Sequence, residues 1–239
     1  MSNTYFQFKQ FIIHQQNCAM KVCTDACLFG AWIAGKVGGG QMAVDSVLDI
    51  GTGTGLLGLM IAQRSNAKID AVELDEPAAQ QAAENFELSN WREKLQVIQG
   101  DIRTVHLGKN YDLIISNPPF FENDLKSPDA QRNLALHSQE LGLDELLATV
   151  KKQLTDNGKF AVLLPYHRKE TFIKLALGEG FFVEEETSVK QTPSHNYFRI
   201  MFLFGKEPIA TKRESIVIRD GEQYTSEFTD LLKDYYLKL

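Results

Sequence analysis

The 239-residue chain contains no apolar run near the ~18 residues that would mark a membrane span. Its first ten residues lack the apolar core of a signal peptide, so a cytoplasmic protein is expected. Cysteine is scarce: Cys18, Cys23 and Cys27 make an odd number without export signals, which argues against a disulfide framework. Their spacing also lacks the paired C-x2-C elements of zinc sites, so small buried side chains and no metal are expected. There is no internal repeat, low-complexity tract or long linker. Acids are missing from two stretches, residues 1–22 and 187–206, although the net charge is −6. The first carries Lys9 and Lys21, the second Lys190, Arg199 and Lys206. Nucleic-acid binding depends on local charge, and the two stretches read either as ordinary surface segments or as two edges of a phosphate-contacting cleft.

What is present is an alternation of strand and helix from residue 46 onward. Strands are read at 46–50, 68–73, 94–99, 113–116, 159–164, 181–186 and 197–204. Helices are read at 56–63, 77–88, 144–154 and 168–177. This pattern implies an α/β protein with a mostly parallel sheet and helices on both faces. Residues 1–45 differ in character, with a part-alternating strand at 6–13, a helix at 26–34 and a glycine joint at 38–40. The expected division is an N-terminal extension, 1–45, packing on the ligand side, and a main domain, 46–239. The C-terminal stretch reads as a strand at 215–219, a turn at Asp220-Gly221 and a helix from about 226.

Two turns carry the chemistry. Asp49-Ile50-Gly51-Thr52-Gly53-Thr54-Gly55 follows a strand and opens a helix. Glycines let the backbone turn sharply and approach a ligand. A nicotinamide fingerprint, G-x-G-x-x-G, does not fit, because its last place falls on Leu56. Asp49 instead puts a carboxylate at the mouth of the turn, which suits an ammonium group. Glu73 ends the next strand and can accept from both ribose hydroxyls. Leu74 can cover an adenine, and Asp101 can accept from its amino group. Acids at three successive strand ends suit a cationic amino-acid nucleoside, S-adenosylmethionine.

The second turn is Asn117-Pro118-Pro119-Phe120. Two prolines stop the preceding strand, leaving an amide at its carboxyl end, where open α/β sheets bind ligands. The Asn117 oxygen and the Pro118 carbonyl can accept both hydrogens of a planar amino group. Phe120 and Phe121 can stack on its ring. The polar stretch 122–138, with His137, is expected to form a lid.

Together the two turns resemble a class I S-adenosylmethionine-dependent methyltransferase acting on a planar nitrogen. The block Cys18-Ala19-Met20-Lys21-Val22-Cys23-Thr24-Asp25-Ala26-Cys27-Leu28-Phe29-Gly30-Ala31-Trp32 narrows the likeness. It resembles the bacterial tRNA1(Val) adenine-37 N6-methyltransferases, over nearly the whole chain. The resemblance implies a Rossmann-like, seven-stranded sheet whose last strand is antiparallel. It implies that Lys21, Thr24 and Asp25 sit near the donor's methionine end, held by Asp49 and Gly51 with Gly53 and Gly55. Glu73 and Leu74, then Asp101 and Ile102, would surround the nucleoside, with Asn117 between donor and acceptor. Arg199 stands at the place of a basic residue common in the family that could contact tRNA, His137 and Lys190 are substrate-contact candidates from the residues alone, and no metal or obligate protein partner is expected. Phe120 departs from the family's usual Tyr, and the same motif occurs in rRNA guanine-N2 methyltransferases. Release-factor glutamine N5-methylation, or a non-catalytic RNA-binding module, are the other readings open on sequence.

Overall fold

The computed structural model describes residues 3–119 and 141–239. A short antiparallel hairpin, β1 (Tyr5–Gln7) and β2 (Ile12–His14), precedes helix α1 (Thr24–Gly38). Then come β3 (Ser46–Ile50), α2 (Leu56–Arg64), β4 (Lys68–Glu73), α3 (Glu76–Glu87), β5 (Leu95–Gln99) and β6 (Tyr111–Ser116). The second half contains α4 (Leu143–Gln153), β7 (Leu154–Pro165), α5 (Lys169–Gly178), β8 (Phe182–Lys190) and β9 (Tyr197–Gly205). It closes with β10 (Lys212–Val217), a small hairpin of β11 (Arg219–Asp220) and β12 (Gln223–Tyr224), and α6 (Ser226–Leu232).

The main sheet has the order β10-β8-β9-β7-β6-β3-β4-β5. All its pairs are parallel except those of β9, which is antiparallel to both β7 and β8. The antiparallel last strand of the expected seven is therefore present as β9. Among the described residues the sheet has eight strands rather than seven, because β10 adds itself to β8 as an edge. It begins three residues before the expected 215, since its register is set by pairing with Glu185–Lys190 rather than by its own polar-rich sequence.

Strand alternation divides the interior. Val47, Leu113, Ile115, Ala161, Leu163, Met201 and Leu203 face one core with α1, α2, Phe86 of α3 and α6. Leu48, Ile114, Phe160, Val162, Ile200 and Phe202 face the other, under α4 and α5. The period of two in the strands thus makes two layers of helix around one sheet. No helix among the described residues is long and apolar enough to cross a membrane.

Two local readings change. The strand read at 159–164 begins five residues earlier, at Leu154. α4 stops at Gln153 and the chain enters β7 directly, with the extra residues taken up as an irregularity between the Tyr111–Leu154 and Leu113–Lys159 pairs. The glycine joint at 38–40 is a helix cap: Gly39 N–H donates to the Gly35 carbonyl at 2.9 Å. At Gly38 the Arg64 carbonyl lies 2.5 Å from where a Cβ would stand, so α1 and α2 approach there only because the side chain is absent.

The strand order reverses between β3, which neighbours β4, and β6, which continues towards β7. That switch point opens a crevice at the carboxyl ends of the strands, the usual ligand position in such sheets. The glycine turn and Asn117-Pro118-Pro119 lie there.

Candidate active site

The turn after β3 takes its shape from three left-handed glycines, Gly51 (φ 72°), Gly53 (φ 57°) and Gly55 (φ 81°). Gly51 and Thr52 donate to the Val72 carbonyl at 2.9 and 3.2 Å, which locks the turn against β4. Gly55 allows nothing larger: a Cβ would stand 2.6 Å from the ring of Phe86, which is buried. A Gly55→Ala chain combines left-handed strain with a clash against a core aromatic. A loss of about 2–4 kcal/mol in urea unfolding is expected. A change within ~0.5 kcal/mol would show that the turn relaxes freely.

Asp49 is fully buried beneath this turn. Its Oδ2 accepts the Thr52 hydroxyl at 2.6 Å, while Oδ1 has no partner among the described residues. Burial pushes its carboxyl up to about 7, against the lowering effect of the Thr52 bond. Glu73, at the end of β4, accepts from the backbone N–H of Gly53 (2.8 Å) and of Asp75 (3.0 Å). The ribose-binding candidate therefore also braces the glycine turn.

A cleft of about 660 Å³ runs along these strand ends. Of the sequence-derived candidates, Gly51, Glu73, Leu74, Asp101, Ile102 and Pro118 line it. Leu74 is 46% exposed, which suits a side chain that covers a ligand. Among the described residues the charged groups on the wall are Glu73, Asp75, Glu76 and Asp101 against the cation Arg103. An excess of carboxylates favours a cationic ligand.

Arg103 is the residue that sequence reasoning missed. Its Nε and Nη2 donate to Asp101 at 2.9 and 2.6 Å, and its Nη1 reaches Glu145 at 3.3 Å. These bonds hold the Asp101 carboxyl below the usual carboxylate range. Asp101 thus reaches the cleft as one half of an ion pair, where the sequence suggested a lone acceptor. Asn85 was missed as well. Its amide nitrogen donates to the carbonyls of His14 and Thr54, both at 2.8 Å, and its oxygen accepts from His14 N–H at 2.9 Å. One side chain therefore joins the N-terminal hairpin to the glycine turn. The available signal was a polar residue on the buried stripe Ala78, Ala82 and Phe86 of α3.

Asn117 follows β6 directly, and its Oδ1 is buried with no hydrogen-bond partner among the described residues. The adjacent Ser116 hydroxyl donates to the Ile50 carbonyl at 2.9 Å, so the ends of β6 and β3 are fastened together. Pro118 is buried and Pro119 exposed. An unsatisfied buried acceptor is costly, and this one stands at the strand end next to Ser116 and Pro118, which line the cleft.

The other candidates lie off the cleft wall. The Lys21 ammonium donates to the Gln15 carbonyl. Thr24 opens α1, and Asp25 in the same turn accepts from Arg199 Nε at 2.7 Å. Arg199 and Asp25, assigned to different ligands on sequence, are therefore partners of each other. Phe120, Phe121, His137 and the lid stretch 122–138 lie outside the described residues. Cys18 and Cys27 are buried, and burial pushes their thiols up, to about 11 and about 12, whereas Cys23 is exposed, against the expected burial of all three. No group of three or more metal-capable side chains occurs among the described residues.

Residues 41–187 match the family model of the methyltransferase small domain. A tRNA1(Val) (adenine(37)-N6)-methyltransferase of Parabacteroides distasonis is 40% identical over 243 residues, covering 100% of both chains. One of the same name from Tolumonas auensis is 41% identical over 242 residues, covering 100% of this chain and 99% of that one. A predicted O-methyltransferase of Agrobacterium tumefaciens superposes with a TM-score of 0.66 at 17% identity, over 88% of this chain and 96% of that one. A putative RNA methyltransferase of Pyrococcus horikoshii gives 0.54 at 21%, over 76% and 83%. The two structures show a shared fold.

Proposed function

The chain belongs to the family of the tRNA1(Val) (adenine(37)-N6)-methyltransferases, and on that premise we propose that it moves a methyl group from S-adenosylmethionine to N6 of an adenine in tRNA, adenine 37 of tRNA1(Val) by its relatives' names. The observation that carries this reading is the buried Oδ1 of Asn117, which has no partner among the described residues, at the switch point of the sheet.

The residues present fit the donor. Among the described residues the wall of the cleft is predominantly anionic, and Asp49 Oδ1 is a second buried acceptor without a hydrogen-bond partner. Asp49 and the turn at Gly51 would hold the amino-acid end, Glu73 the ribose, and Leu74, Ile102 and the Asp101–Arg103 pair the adenine. When bound, S-adenosylmethionine supplies an electrophilic methyl on a sulfonium centre.

The acceptor nitrogen is a poor nucleophile because its lone pair is delocalised into the purine. Asn117 Oδ1 and the Pro118 carbonyl each accept one of its N–H bonds. That holds both hydrogens away from the ring plane's preferred geometry and returns the lone pair to the nitrogen. It also fixes the nitrogen for in-line attack, a positioning effect. Proline's ring fixes its φ, so the carbonyl is held with little freedom. No general base is required, because the nitrogen becomes acidic as it is methylated and releases its proton to solvent.

The reading is tested by the acceptor. With methyl-labelled donor and a mixture of tRNA, ribosomal RNA and protein, label is expected in the tRNA fraction. Label in ribosomal RNA would favour guanine-N2 chemistry, and label in protein would favour glutamine N5 chemistry.

A further inference from the structure

Beyond the Asn-Pro-Pro turn the same sheet edge continues across β7, β9 and β8. β7 ends at Pro165, paired with Arg199, and the chain passes into a single 3-10 turn, Tyr166–Arg168. β8 ends at Lys190, paired with Tyr197 at the start of β9. Because β6 and β7 are parallel, these strand ends lie on the same side of the sheet as Asn117.

The side chains gathered there form an aromatic and cationic group. The rings of Tyr166 and Tyr197 are 5.0 Å apart, inclined at 33°. Lys190 Nζ lies 4.7 Å from the centre of the Tyr197 ring, and Lys169 Nζ 5.9 Å from that of Tyr166. Both tyrosines are half-buried, unlike Tyr111 and Tyr235, which fill the core. The loop between β8 and β9, residues 191–196, contains no acid, and most of it is exposed. Two neighbouring acids are engaged: Asp25 with Arg199, and the buried Glu186 with Lys169 and Arg213.

We propose that Tyr166, Tyr197 and Lys190 form a stacking platform for an unpaired nucleotide of the substrate RNA, next to the adenine delivered to Asn117. The proposal rests on the tRNA reading above. Unpaired RNA bases are recognised by stacking on aromatic side chains, with nearby cations on the backbone. Stacking a base on an aromatic ring tightens binding about five- to hundredfold, whereas an exposed ammonium–ring contact is worth about two- to fivefold. An incoming base therefore displaces the Lys190 ammonium from Tyr197. Freed from the ring, Lys190 remains within reach of the adjoining phosphate. Arg199 keeps its bond to Asp25 and acts mainly by fixing the first residue pairs of β9 against α1.

The test uses the full-length protein, an RNA hairpin with an adenine-containing loop, and the variants Tyr197→Ala, Tyr197→Phe and Lys190→Ala. Tyr197→Ala is expected to raise the Kd for the hairpin and the KM for methyl transfer about five- to hundredfold. Its kcat and its affinity for S-adenosylmethionine should stay within about twofold of wild type. Tyr197→Phe should restore Kd and KM to within about twofold, because the ring and not the hydroxyl carries stacking. Lys190→Ala should flatten the slope of log affinity against log salt by roughly one phosphate contact, ~0.7–0.9. A Tyr197→Ala protein that binds and methylates like the wild type, or an unchanged salt slope in Lys190→Ala, would overturn the platform while leaving the tRNA assignment intact. Failure of the wild type to methylate any tRNA would overturn that assignment, and the platform with it.

Discussion

Asn117→Ala is expected to lower kcat for methyl transfer by about 10²–10³-fold or more, the range typical of removing one preorganised hydrogen-bonding group aimed at a reacting centre. The donor should still bind, with a Kd within about fivefold of wild type, because Glu73, Leu74 and the Asp101–Arg103 pair that line the cleft are untouched. Stability gives an independent check. Asn117 Oδ1 is buried and satisfied by nothing among the described residues, so truncating the side chain removes an unsatisfied acceptor and breaks no bond to that oxygen. The variant should therefore unfold at a urea concentration equal to or above that of the wild type. A catalytically dead chain that is also markedly unstable would mean that Asn117 acts as scaffolding. A chain retaining a tenth or more of wild-type kcat would remove Asn117 from the mechanism.

Asp49→Asn should separate stability from binding. The buried carboxyl titrates at about 7 rather than at its ordinary 3.8, with burial as the main cause. A raised folded-state value means that the protonated form favours the fold. That contribution is complete below about pH 4 and is lost as the pH rises through 7. Asparagine cannot ionise, so Asp49→Asn should be more stable than the wild type at pH 8, by a few kcal/mol, with the difference closing below about pH 4. Binding should change in the opposite sense. Loss of a charged acceptor for the donor's ammonium costs about 1.5–3 kcal/mol, a roughly 10- to 100-fold rise in Kd at pH 8. In the wild type, donor affinity should also weaken as the pH falls below 7, where Asp49 takes up its proton. Parallel stability curves for the two proteins between pH 4 and 8, or equal affinities for the donor, would contradict this account of Asp49.

Much of this was legible in the sequence because it is written in local patterns. The alternation Val47, Leu48, Ile50 and Leu113, Ile114, Ile115 marks strands buried on both faces. The spacing of Gly51, Gly53 and Gly55 marks a turn that needs positive φ at each of them. Pro118 and Pro119 mark where β6 must stop. The features that were missed are pairings between residues distant in the chain. Arg199 meets Asp25 across 174 positions, and Asn85 meets His14 across 71. Neither pairing has a periodic signature, although Asn85 itself stands out as a polar residue on the buried stripe of α3. Arg103 is only two residues from Asp101, yet its orientation depends on Glu145 arriving from α4. β10 was located but misaligned, because an edge strand takes its limits from its neighbour's hydrogen-bonding groups more than from its own hydrophobicity.

The account's central claim is that the Asn117 oxygen and the Pro118 carbonyl together hold an adenine amino group. Nucleoside mass spectrometry on tRNA incubated with S-adenosylmethionine and the wild-type protein, beside the Asn117→Ala protein, tests it most directly. N6-methyladenosine is expected with the wild type and is expected to be absent with the variant. N2-methylguanosine in place of N6-methyladenosine, or equal amounts of N6-methyladenosine from both proteins, would contradict it.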